Sequence, residues 1–123
     1  MDTKNKELLL KDLNARLPYG VKIELTWWDM GEGTCINTTL EPDHMEQLLN
    51  DEDGDTEIKP YLRPMSSMTE TQKNEYQYIT ERWIYDSSYS ISDSIDWLNK
   101  NHFDYRGLID KSLALDATGL NIY

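Results

Sequence analysis

The chain has 123 residues, 38% hydrophobic and 28% charged, with 23 acidic against 12 basic side chains and a net charge of −11. That is the size of one domain with a modest core. Its charge works against binding nucleic acid through phosphates, which needs Lys and Arg gathered on one surface, and favours a basic partner. The charged start MDTKNKELLLKDL has no apolar signal region and no run reaches a membrane span, so a cytoplasmic protein off the membrane is expected. A single cysteine, Cys35, rules out an internal disulfide.

The first predicted element is a helix. Leu9, Leu13 and Leu17, with Leu10, follow the spacing of one apolar face, while Lys4, Lys6, Lys11 and Asp12 lie largely off it. Pro18 and Gly20 end it. In VKIELTWW, Val21, Ile23, Leu25 and Trp27 alternate with polar residues, the pattern of a half-buried strand. DMGEG is the turn and TCINTTL the return strand of a hairpin with a loop of about four or five residues. Cys35 falls in or beside that strand, where a lone cysteine is usually a small buried hydrophobe.

A second helix starts at Pro42, with Met45, Leu48 and Leu49 on its apolar side. Pro60 and Pro64 exclude helix from TEIKPYLRPM and allow an edge strand, expected to pair with the hairpin because two strands alone are marginal. Thr69 and Gln72 have capping-box spacing and open a third helix with Tyr76, Ile79 and Trp83 inward. DSSYS breaks the chain before a fourth helix, capped by Ser90 or Ser92, with Ile91, Ile95 and Leu98 inward. Asp104 to Gly107 reads as a capped turn ahead of an irregular tail. The sum is one α+β domain over residues 1–123, with three or four helices packed on a small antiparallel sheet.

Catalytic and metal chemistry is poorly represented. Two histidines, His44 and His102, and one cysteine cannot build a standard zinc site, and no G-x-S-x-G elbow is present. Gly31 and Gly33 lack the further glycine or lysine of a phosphate-cradling loop. His102 sits at a helix end, where it can meet the last carbonyls. An EF-hand fails in both registers of the acidic loop, since Leu49 and Pro60, or Thr56 and Leu62, fall where oxygen ligands or glycine belong. No catalytic residue, metal site or cofactor is therefore expected.

Charge is the stronger signal. Residues 41–57 hold eight carboxylates and no Lys or Arg. Such a run either faces water as a solvated helix and turn or docks a basic protein surface, with Asp51, Glu52, Asp53, Asp55 and Glu57 as the contact. One of Trp27 and Trp28 faces the core. The other is covered by the later helices or is an exposed hot spot beside the acidic segment. An alternative site gathers Tyr61, Arg63, Trp97, Tyr105 and Arg106 in one groove for a small ligand or nucleotide. The simpler reading makes these folding devices, with Arg63 anchoring Asp96 or Asp104.

Three stretches carry a resemblance: LLLKDLNARLPYGVK, KPYLRPMSSMTETQKNEY and DWLNKNHFDYRGLIDKSLALDA. They resemble a set of small proteins encoded by phages, prophages and mobile elements of gut Bacteroides-type bacteria. The likeness takes in Leu17 to Gly20, Lys59 to Pro64, Ser66 to Thr69, Asp96 to Leu98 and His102 to Ile109, roughly half the chain. Residues 26–56 lie outside it, and ATGLNIY departs from the acidic, proline- and glycine-containing ending of those proteins. The set brings no activity, so no catalytic residue carries over; it implies a bacterial or phage cytoplasmic setting. Together these readings predict a non-enzymatic accessory protein that acts by protein–protein contact, such as an inhibitor of a nucleic-acid-handling host protein.

Overall fold

A computed structural model describes residues 3–51, 54–85 and 91–123. In chain order the elements are α1 (Thr3–Arg16), β1 (Lys22–Asp29), β2 (Glu32–Thr39), α2 (Pro42–Leu49), β3 (Thr56–Pro64), α3 (Glu70–Tyr85), α4 (Ile91–Lys100), β4 (Phe103–Asp104) and β5 (Leu115–Asp116). The architecture is α+β, with four helices and a small, mostly antiparallel sheet.

The sheet runs β2-β1-β3-β4, and β5 also pairs with β3. β1 and β2 are antiparallel from Lys22↔Thr39 to Asp29↔Glu32. Only Met30 and Gly31 remain for the turn, at φ 52° and 83°. The predicted four- or five-residue loop is thus a two-residue turn with both central residues left-handed, the hand that matches strand twist.

β3 changes neighbours at Pro60. Its first half, Thr56 to Pro60, is the third strand expected, antiparallel to β1. Beyond it, Tyr61 and Leu62 pair in parallel with β5, and Arg63 and Pro64 with β4. Pro60 has no N–H to donate, and it sits where one set of ladder bonds gives way to another.

Alternation along β1 sends Ile23 and Leu25 into a core with Val21, Ile58 and Leu62, closed by Leu9 and Leu13 of α1 and Leu48 of α2. Each fully buried Leu or Ile here is worth roughly 1.5–3 kcal/mol relative to exposure. A second cluster of Met68, Trp97, Leu98 and Phe103 lies against Tyr76 and Ile79 of α3. Trp97 stacks between Tyr76 and Phe103, at centroid distances of 5.6 and 5.7 Å.

Several predicted orientations change. Asp12, expected off the apolar stripe of α1, is fully buried, because Arg16 one turn later is buried with it. Leu49 and Ile95, expected inward, are 60% and 38% exposed, while Ser94 takes an inward place on α4. Cys35 lies on β2 as expected but is exposed, on an edge strand whose residues from Glu32 to Asn37 are all exposed. The DSSYS break, Ser90 and the side chains of Trp83 and Ile91 lie outside what is described.

Candidate functional site

The acidic segment does two jobs. Asp51 is structural: its carboxylate accepts the N–H of Asp55 at 3.0 Å and of Thr56 at 3.1 Å, fastening the loop to the start of β3. Glu57 pairs with Lys59 at 3.1 Å. Asp55 is exposed, and its carbonyl accepts the Trp28 N–H at 3.1 Å. Glu52 and Asp53 lie outside the described residues. Of Asp51, Asp55 and Glu57, the described members of the five carboxylates singled out in sequence, Asp55 is the one that lines a groove with aromatic side chains.

That groove, about 520 Å³, lies between the hairpin and α2. Its apolar lining is Leu25, Trp27, Trp28 and Ile36, and Asp29 and Asp55 border it; no Lys or Arg lines it. Trp27 is half-buried on the core, as alternation predicts. Trp28 is 44% exposed instead of lying beneath the later helices. Its indole lies over Gly33, where a Cβ would come to 3.0 Å from Nε1, so any larger residue there would push the ring aside by a few tenths of an ångström. Ile36, on the edge strand, is exposed. Asp43 and Glu46 on α2 are also exposed and add negative potential. Asp29 and Ile36 escaped the sequence reading, which tracked the charge run rather than the hairpin end it meets.

The helix that bounds the groove has an unusual cap. Glu41 accepts the N–H of His44, and the His44 Nδ1 accepts the Glu41 N–H at 3.0 Å. The arrangement is a capping box with imidazole where Glu or Gln is usual.

The Arg/aromatic set divides into four. Tyr61 faces the outer side of the sheet, and its hydroxyl donates to Asn37 at 2.7 Å. Trp97 is core, with its indole N–H on Glu75. Arg106 is held by Asp12 at 2.8 Å and lies over the Tyr105 ring. Asp12 also takes the Arg16 Nε–H at 2.9 Å, and Arg16 Nη2 donates to the Phe103 carbonyl at 2.6 Å. This buried Arg–Asp–Arg group ties α1 to β4; stripping Asp12 from it would cost on the order of 3–5 kcal/mol by leaving a guanidinium unpaired. Asp104 accepts the N–H groups of Leu108 and Ile109, both at 2.9 Å, so it is the turn cap expected and not a partner of Arg63. Arg63 instead lies 4.5 Å over the Phe103 ring and reaches Gln72 and the Asn101 carbonyl.

His102 closes α4 at φ 63° with its N–H on the Asn99 carbonyl, but its imidazole turns inward and stacks on Tyr123 at 3.8 Å. Burial, with Arg16, Arg63 and Lys22 around it, pushes its pKa down to about 4. The Tyr123 hydroxyl donates to the Tyr61 carbonyl at 2.7 Å and accepts the Lys22 N–H at 2.8 Å. Burial there pushes the phenol up to about 12.

Among the described residues no group of three or more His, Cys, Asp or Glu is placed to hold a metal ion, and no helix is long and apolar enough to cross a membrane. Comparison of the chain with protein-family models, with curated proteins and with solved structures finds no match.

Proposed function

We propose that the chain is a non-enzymatic accessory protein that docks a basic, partly apolar segment of a partner protein in the groove between the β1–β2 hairpin and α2. The observation that carries this reading is the pairing of Trp27, Trp28, Leu25 and Ile36 with Asp29 and Asp55 in one groove that no basic residue lines. Exposed aromatic surface supplies contact area and the carboxylates select the sign of the partner. In the phage or mobile-element setting that the resemblance suggests, a host protein whose basic surface handles nucleic acid fits this chemistry.

The test uses a short labelled peptide of alternating Lys and Leu, with its Glu/Leu counterpart as control. The Lys/Leu peptide is expected to shift the indole N–H resonances of Trp27 and Trp28 and to weaken with salt. D29N/D55N should weaken it about tenfold, while D43N/E46N, which removes equal charge from α2, should do much less. Equal losses in the two double variants, or shifts that avoid both indoles, would sink the groove.

A further inference from the structure

A second concave site lies at the other end of β3. It has about 460 Å³ and is lined by Arg63, Ser67 and Gln72 on one side and by Thr118, Asn121 and Tyr123 of the tail on the other. Among the described residues no Asp or Glu lines it, in a chain with 23 acidic residues. The nearby Asp116 turns its carboxylate to the Thr118 N–H at 2.8 Å and lines a separate cavity with Asp104 and Asp110.

Arg63 has donors to spare. A guanidinium carries five N–H groups. Its two hydrogen bonds, to Gln72 Oε1 at 3.3 Å and the Asn101 carbonyl at 3.5 Å, are both long, and no carboxylate pairs with it among the described residues. The Phe103 ring beneath holds the planar group in place without consuming donors. Arg16 and Lys22 lie close enough to act with Arg63 on His102 behind the Tyr123 wall. The volume falls within the range of small-ligand pockets and exceeds what a bare ion fills.

We propose that this cavity binds a small organic oxyanion, a phosphate ester or a carboxylate, with the Arg63 guanidinium as its anchor and the Asn121 amide as a second polar contact. Oxyanion geometry suits the guanidinium fork, which a lysine cannot reproduce. The site narrows the Arg/aromatic alternative to Arg63: Trp97, Tyr105 and Arg106 are committed elsewhere, and Tyr61 lines a different cavity with Lys22 and Asn37.

The experiment is a thermal-shift and NMR titration of the full chain with ribose 5-phosphate, citrate and inorganic phosphate, against sodium chloride at matched ionic strength. A saturable rise in Tm with ribose 5-phosphate or citrate is expected, and whichever binds identifies the class. R63Q should weaken it at least about tenfold and R63K less, since charge remains but the fork is lost. N121D places a carboxylate in the cavity without touching the contacts of Arg63, and should abolish binding even if R63Q fails to fold. No response beyond sodium chloride, or unchanged binding in N121D, overturns the site. Equal affinity for inorganic phosphate overturns the assignment to an organic ligand. Because this cavity and the acidic groove occupy opposite ends of β3, either can fail without the other.

Discussion

The Tyr123 hydroxyl stands where a ladder bond would otherwise run. Extending the β1–β3 register one pair beyond Ile23↔Pro60 sets Lys22 opposite Tyr61, and the phenol bridges that N–H and that carbonyl. Tyr123→Phe leaves both groups without this partner and should cost about 1–3 kcal/mol, read as a lower urea midpoint at unchanged m. His102 gives a pH signature. Its folded pKa is near 4 against an ordinary 6.5, so on acidification the unfolded chain takes up a proton before the folded chain does. Stability conferred by the neutral imidazole is intact above about pH 6.5 and drains away down to about 4, roughly 3 kcal/mol in full. His102→Asn, which tolerates the left-handed backbone, should flatten the dependence of the denaturation midpoint on pH across that window; an unchanged slope would show that other groups set it. Neither role could be read locally. A histidine at a helix end and a tyrosine in an irregular tail meet only because β4 and β5 bring their flanks to β3.

At the scale of elements, local chemistry was legible wherever it was self-contained. Thr69 and Gln72 bond reciprocally at 3.1 and 3.0 Å, as their spacing predicts, and β1 buries the residues its alternation selects. The hairpin loop was misjudged because Met30 occupies a position where Asn, Asp or Gly is the usual signal. That mismatch is itself testable. Met30 is fully exposed and adopts φ 52°, so Met30→Asn should relieve left-handed strain and raise stability by about 0.5–1 kcal/mol, seen as a higher Tm. β4 and β5 have two residues each, too short to give any periodic signal. Leu49 and Ile95 show the limit of periodicity in another way: it identifies an apolar face but not how far a neighbour extends to cover it.

The whole molecule is electrically lopsided. Residues 41–57 hold eight carboxylates along the sequence, while Arg63, Lys22 and Arg16 act on His102 towards the end of β3. The acidic half was visible as a run in sequence; the basic half was not, because its members are 47 positions apart from Arg16 to Arg63 and meet through the sheet. Repulsion within the acidic half opposes folding, so raising salt from about 10 to 150 mM should raise Tm, and D43N/E46N should reduce that gain. The change of partners at Pro60 also bears on the order of assembly. The antiparallel half joins segments near one another along the chain, whereas the parallel half must close loops spanning α3 and α4 before any contact rewards it. The seam therefore separates an early-forming portion from a late one. Amide hydrogens beyond it, at Arg63 and Ala117, are those that would exchange first as the native protein begins to open.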